Sequence, residues 1–160
     1  MKIVLDVMGG DHAPEVTVAG AIDAAREFGV SILLVGPEDV VRSELAKHDT
    51  AGLDLSVVHA PQFVDMHDKP AEVLRAKPLS TMHIGMDLVR QGEADAFVTC
   101  GNTGGALAIA LFKLGRIKVD SQRRIHRTHG CPGIGSGVVS PEVVEECAGS
   151  YAPSYKALAT

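Results

Sequence analysis

The sequence predicts an α/β protein, a three-layer α/β/α sandwich built on a mainly parallel sheet. Two observations carry this expectation. Short apolar runs alternate four times with longer segments of helical periodicity. The runs are near-continuous rather than alternating, the pattern of strands covered on both faces. Right-handed crossovers would join such strands.

Each element follows in order. KIVLD (2–6) is a short, β-branched apolar strand, and MGGDHAP after it is a loop with two glycines and a proline. Pro14 stands where a first helical turn tolerates it. Val18, Ile22, Ala25 and Phe28 recur at helical spacing over 15–28, with Gly29 as the C-cap. SILLVG (31–36) is the second strand, and 38–48 is a helix amphipathic through Val41, Leu45 and His48. LSVVHA (55–60) is the third strand, and the segment up to Pro70 is loop-like. A short helix is expected over 71–77, ending before Pro78, and another over 80–91 with Ser80 as its N-cap. ADAFVTC (94–100) is expected as a fourth buried strand, GNTGG (101–105) as a tight loop, and 106–115 as an apolar helix ending at Gly115.

Composition narrows the function. The 160 residues are 46% hydrophobic and 22% charged, which is ordinary for a domain with a real core and excludes disorder over most of the chain. No apolar run approaches the roughly 18 residues of a membrane span. Asp6 interrupts the N-terminal apolar run, so no signal peptide is expected there. A net charge of −5 argues against nucleic-acid binding, and 4% aromatics with no Trp leave little surface for stacking bases. Cys100, Cys131 and Cys147 are odd in number and widely spaced, which suits a reducing compartment. The charge is uneven: residues 1–118 hold 11 Lys and Arg against 16 Asp and Glu, whereas 119–160 hold 4 against 4.

Ligands of doubly wound sheets bind beyond the carboxyl ends of the strands. Two loops have that position. In the first, Gly9 and Gly10 let the backbone approach a ligand and present N–H groups to an anion, ahead of a helix N-terminus. Asp6 and Asp11 repel a bare phosphate, so they suit orienting the loop, binding a hydroxyl or capping. In the second, Asn102, Thr103 and Gly104 offer side-chain and backbone donors to a phosphate or a carbonyl oxygen. It is neither a Walker A loop nor a dinucleotide-binding GxGxxG. A plain turn, or a helix cap with an Asx turn, is the competing reading of each loop. The third segment, with Asp68, Lys69, Arg75, Lys77 and Ser80, holds the densest positive cluster of the acidic portion. It suits an anionic group, with a solvated helix face and an Asp68–Lys69 pair as the alternative.

Other chemistries have weaker support. His126, His129, Cys131 and Cys147 lack the regular spacing of a zinc site, so no metal is expected. Cys100 is expected as a small core residue. Its pairing with His59 or His67 as a nucleophile has no local signature.

Together DVMGGDHAP, MHDKPAEVLRAKPLSTM and CGNTGGALAIALFKLGRIK occur in the order and spacing of the bacterial phosphate acyltransferases, which residues 1–118 resemble. The resemblance implies a fold like that of phosphotransacetylase and the isopropylmalate dehydrogenases. It implies transfer of a fatty acyl group from acyl carrier protein to inorganic phosphate, giving acyl phosphate for phospholipid synthesis. It also implies a cytoplasmic homodimer with peripheral membrane association, and no metal, nucleotide or other cofactor. The implied substrate and phosphate ligands are Asp6, Gly9, Gly10, Asp11, Asp68, Lys69, Arg75, Lys77, Ser80, Asn102, Thr103 and Gly104. The catalytic acid or base is unassigned, and the division of phosphate, pantetheine phosphate and carrier among Lys69, Arg75 and Lys77 stays open.

Two departures stand out. The family's middle motif usually reads closer to KKDSSM, where this chain has Lys77-Pro78-Leu79-Ser80-Thr81-Met82. Family members run to about twice this length, and after GRIK the chain has VDSQRRIHRTHGCPG, with no defensible period. Residues 119–160 are therefore read as an atypical tail, with a shift of reading frame as the expected origin, on an enzyme that looks truncated. An inactive truncated fragment and a dehydrogenase of the related fold are the alternatives; the latter would need a dinucleotide site.

Overall fold

The computed structural model describes residues 1–115. Its elements, in chain order, are β1 (Lys2–Asp6), α1 (Glu15–Phe28), β2 (Ser31–Gly36), α2 (Glu38–Leu45), β3 (Leu55–His59), α3 (Pro70–Ala76), α4 (Thr81–Arg90), β4 (Ala96–Val98) and α5 (Thr103–Lys113). The strands form one parallel sheet in the order β3-β2-β1-β4.

The near-continuous apolar runs are explained by what lies on each face. From β2, Ile32 and Leu34 meet Val18, Ile22 and Ala25 of α1 and Val41 of α2. The alternate residues Leu33 and Val35 point the other way, with Val4, toward Ile84 and Leu88 of α4. Helices thus cover both faces, and the sheet is the middle layer expected of an α/β fold. A further apolar cluster joins α3, α4 and α5 through Val73, Met82, Met86 and Ile109.

Boundaries differ from the sequence reading at several points. Phe28 has helical spacing but is 68% exposed, because α1 ends there and Gly29 turns away with φ 60°. α2 stops at Leu45, before His48. β3 is only half covered, as an edge strand with one neighbour. β4 is shorter and less buried than a central strand: three residues, flanked by β1 alone among the described residues, with Val98 40% exposed. The GNTGG segment is mostly helix, since α5 begins at Thr103. Among the described residues no helix is long and apolar enough to cross a membrane. The possible zinc ligands His126, His129, Cys131 and Cys147 and the tail lie outside the described residues.

Candidate functional site

The chain leaves β1 toward β2 and β3, then returns to place β4 on the other side of β1. The point where strand order reverses therefore lies between β1 and β4, the position at which open α/β sheets bind ligands. The loops after these two strands are the two glycine loops.

In the first loop the glycines are required for different reasons. Gly10 adopts φ 114°, a conformation that L side chains rarely take. Gly9 is required by space: a Cβ there would lie 2.6 Å from Thr99 Oγ1, 2.9 Å from Asp6 Oδ2 and 3.0 Å from the Gly101 nitrogen. The two loops are therefore in backbone contact at Gly9 and Gly101, with the Thr99 and Asp6 side chains packed against them.

In the second loop Asn102 caps α5. Its Oδ1 accepts from Gly105 N–H at 2.8 Å, and its Nδ2 faces the carbonyls of Asp65 (3.1 Å), Met66 (3.3 Å) and Asp68 (2.8 Å). One buried amide thus anchors both the start of a helix and the loop that carries Asp68. Gly104 is exposed on the first turn of α5 but approaches α3, since a Cβ there would lie 2.7 Å from Pro70 Cγ. Thr103 lies on the same turn and is exposed.

Beneath the loops is Asp6, 1% exposed at the end of β1. It accepts from Met8 N–H at 3.1 Å and from the Thr99 hydroxyl at 2.9 Å. Burial pushes its carboxyl above the usual carboxylate range; neighbouring donors oppose that shift without cancelling it. The Thr81 hydroxyl lies alongside and favours the charged form, yet it is buried without a hydrogen bond of its own in the described residues.

Backbone donors are unevenly available. Gly9 N–H faces the Asp6 carbonyl at 3.4 Å, Gly101 N–H is held by Thr99 at 3.0 Å, and Gly105 N–H by Asn102. Gly10 N–H has no partner among the described residues, and Gly104 is one of the first-turn positions whose N–H lies beyond the intrahelical ladder. The first turn of α1 carries Glu15, whereas that of α5 carries no acid. Of the helices that follow the two glycine loops, α5 is thus the one whose first turn leaves the dipole uncompensated. A pocket of about 360 Å³ opens at the first loop, between Met8, Gly10 and Asp11 on one side and Phe63, Asp65 and His67 on the other.

In the basic segment the alternative Asp68–Lys69 pair is not the one formed. Asp68 pairs with Lys77 rather than Lys69. Lys69 directly precedes α3, whose first turn brings it within 3.5 Å of Glu72 at i,i+3. The Lys77 amine holds the Asp68 carboxyl below the usual range. Backbone and ring donors of His67 do the same for exposed Asp65. Arg75 is exposed with no ion pair among the described residues. Ser80 is fully buried and is the α4 N-cap, with its Oγ 2.9 Å from His83 Nδ1 and 3.4 Å from His83 N. Burial, then the nearby Lys113, pushes His83 below its ordinary value.

The structure therefore brings together Asp6, Gly9, Gly10 and Asn102, and ties Asp68 and Lys77 to them through Asn102. Asp11 lies exposed at the pocket rim, while Lys69 and Arg75 point to solvent. Cys100 is exposed rather than in the core, because β4 ends at Val98 and the next residues leave the sheet. His59 belongs to β3, at the opposite edge from β4, and its Nδ1 accepts from Glu38 N–H at 3.2 Å, so it does not pair with Cys100. Sequence reasoning missed Thr99 and His83. The signal for Thr99 was a hydroxyl placed at the carboxyl end of an apolar run.

Comparison with known proteins adds the family. The model of a family described as fatty acid synthesis protein matches residues 1–136. A phosphate acyltransferase of Herpetosiphon aurantiacus is 58% identical over 118 residues, covering 74% of this chain and 32% of its own length. Those of Geobacter sulfurreducens and Pelotomaculum thermopropionicum are each 48% identical over 118 residues, 74% of this chain and 34% of theirs. The chain spans about a third of the length of these curated relatives.

Proposed function

This chain belongs to the fatty acid synthesis protein family, and from that premise we propose that it carries the phosphate and acyl-carbonyl site of a phosphate acyltransferase. The reaction joins a fatty acyl group from acyl carrier protein to inorganic phosphate. A phosphate oxygen attacks the thioester carbonyl, the C–S bond breaks, and the carrier thiolate leaves and takes up a proton.

The observation that carries the reading is the convergence of the two glycine loops at the β1–β4 switch point. Acyl transfer to phosphate needs donors for two groups: the phosphate itself and the oxygen that gains charge as the carbonyl is attacked. Gly10 N–H and the first turn of α5 supply such donors without a charged side chain at the reacting atoms. An apolar groove of about 510 Å³ opens beside the same loop, lined among others by Ile3, Leu5, Val16, Ala24 and Val98. Its chemistry suits the hydrocarbon of the acyl group. Lys69 and Arg75, exposed on one side, suit electrostatic attraction of an acidic carrier. Residues 1–118 carry these parts.

The test is acyl phosphate formation from palmitoyl–acyl carrier protein and inorganic phosphate. The expected result is palmitoyl phosphate in proportion to added chain, lost when Gly10 is replaced by Val. Absence of acyl phosphate from a chain that circular dichroism shows to be folded would contradict the activity.

A further inference from the structure

We propose that Asp6 and Thr99 form a buried strut that sets the spacing of the two glycine loops, so that Thr99 is a positioning residue for the anion site. The identity of the anion rests on the acyltransferase reading; the strut does not.

The sheet register leads to it. β1 and β4 pair at Ile3–Ala96, Val4–Phe97 and Leu5–Val98, and the ladder stops there. The next pair in register is Asp6 and Thr99. At that step a side-chain hydrogen bond of 2.9 Å, between residues 93 apart in sequence, replaces the ladder. The Thr99 hydroxyl donates to Asp6 Oδ2 and its oxygen accepts from Gly101 N–H at 3.0 Å, while Asp6 Oδ1 accepts from Met8 N–H at 3.1 Å. One continuous chain of hydrogen bonds therefore runs from the first loop to the second.

Backbone contact accompanies this hydrogen-bonded link where the loops meet. A Cβ on Gly101 would lie 3.2 Å from Gly9 Cα, from Met82 Cε and from Thr99 Oγ1, so the two backbones rest on each other, on Met82 and on that hydroxyl. A threonine has the donor and the acceptor that the position demands, and a valine of the same shape has neither. A buried carboxylate is also a costly way to join two strands where an apolar pair would serve. Placed at the carboxyl ends of the strands, it fixes loop geometry rather than sheet stability.

The test compares the 160-residue chain with its Thr99→Val, Thr99→Ser and Asp6→Asn variants. Amide hydrogen exchange is read at Met8 and Gly101, whose N–H groups end the hydrogen-bond chain in the two loops, and affinity for inorganic phosphate is read from amide shifts. Thr99→Val is expected to speed exchange at Gly101 and, across the gap, at Met8, and to weaken phosphate binding about tenfold, with Thr99→Ser restoring both. If exchange changes at Gly101 alone and phosphate affinity is unchanged, the proposal is overturned. Should Thr99→Val fail to fold, Asp6→Asn decides. Its amide keeps only one of the two acceptors, so a donor meets either the Thr99 hydroxyl or Met8 N–H and one link of the chain is lost. Wild-type exchange and affinity in that variant would overturn the strut. A wild-type chain that ignores phosphate while Met8 exchange still responds to Thr99→Val upholds the strut and sinks the phosphate reading instead.

Discussion

The β1–β4 junction and the segment from Asp65 to Lys77 hold most of the residues that the sequence singled out, but they hold them in opposite ways. At the junction the polar groups are buried and their geometry is set by backbone: Gly9 against Thr99, Gly101 against Gly9, and Asp6 beneath both. In the basic segment the charges are exposed or half-buried and mostly paired with one another, Lys77 with Asp68 and Lys69 with Glu72. The first arrangement can hold a small ligand in one pose. The second can attract a charged partner and does little to orient it. The two also respond to pH with opposite sign, because burial raises Asp6 whereas local donors lower Asp65 and Asp68.

Substitutions sharpen the contrast. The largest effect is expected from Gly9→Ala, where the new methyl meets a buried carboxylate, a hydroxyl and backbone. A loss of about 3 kcal/mol in chemical denaturation is expected, at the upper end for overpacking. Asn102→Ala follows, at about 2 kcal/mol, because it removes the α5 cap and leaves the carbonyls of Asp65 and Asp68 without their donor. Its amide-exchange map should show both the start of α5 and the Asp65–Asp68 loop loosened together.

Asp6→Asn tests the sign of the pH response. The raised carboxyl opposes folding wherever it is ionised. Relative to this variant, the wild-type chain should gain stability as pH falls from the raised value toward the ordinary 3.8. Asp65 and Asp68 contribute stability that is present above the ordinary 3.8 and is lost as pH falls through their lowered values. That loss is common to both chains, so it cancels in the difference. A difference that shrinks on acidification would mean that Asp6 is not the buried acid described above.

The smallest effects belong to the basic segment. Lys77→Met should cost under about 1 kcal/mol, since the pair with Asp68 is partly solvated. Arg75→Ala should change stability by no more than about 0.5 kcal/mol. Its effect should appear instead as slower association with an acidic carrier, a difference that added salt removes.

Much of the fold was legible because its signals are local and strong. The apolar runs at 2–6 and 31–36, Gly29 as a C-cap and Ser80 as an N-cap each reflect chemistry within a few residues, and the Asn102 cap matches the competing reading of its loop. Strand burial was less legible, because β3 and β4 carry the composition of central strands but stand at the edges among the described residues. The site was legible as two loops and illegible as one structure. Gly9 and Gly10 looked interchangeable, yet one is fixed by space and the other by φ, which only the fold reveals. Thr99 was hidden inside an apparent strand, since its role depends on a register partner 93 residues away. The Asp68–Lys69 pair, the alternative reading of the basic segment, rests on adjacency in sequence, whereas the fold pairs Asp68 with Lys77 and Lys69 with Glu72.

One titration tests the central claim most directly: inorganic phosphate added to the isotopically labelled 160-residue chain, with backbone amide shifts followed throughout. The account predicts saturable shifts at Gly10, Asp11 and Gly104, with Lys69 and Arg75 little changed. Shifts confined to Lys69 and Arg75, or none at the two glycine loops, would contradict it.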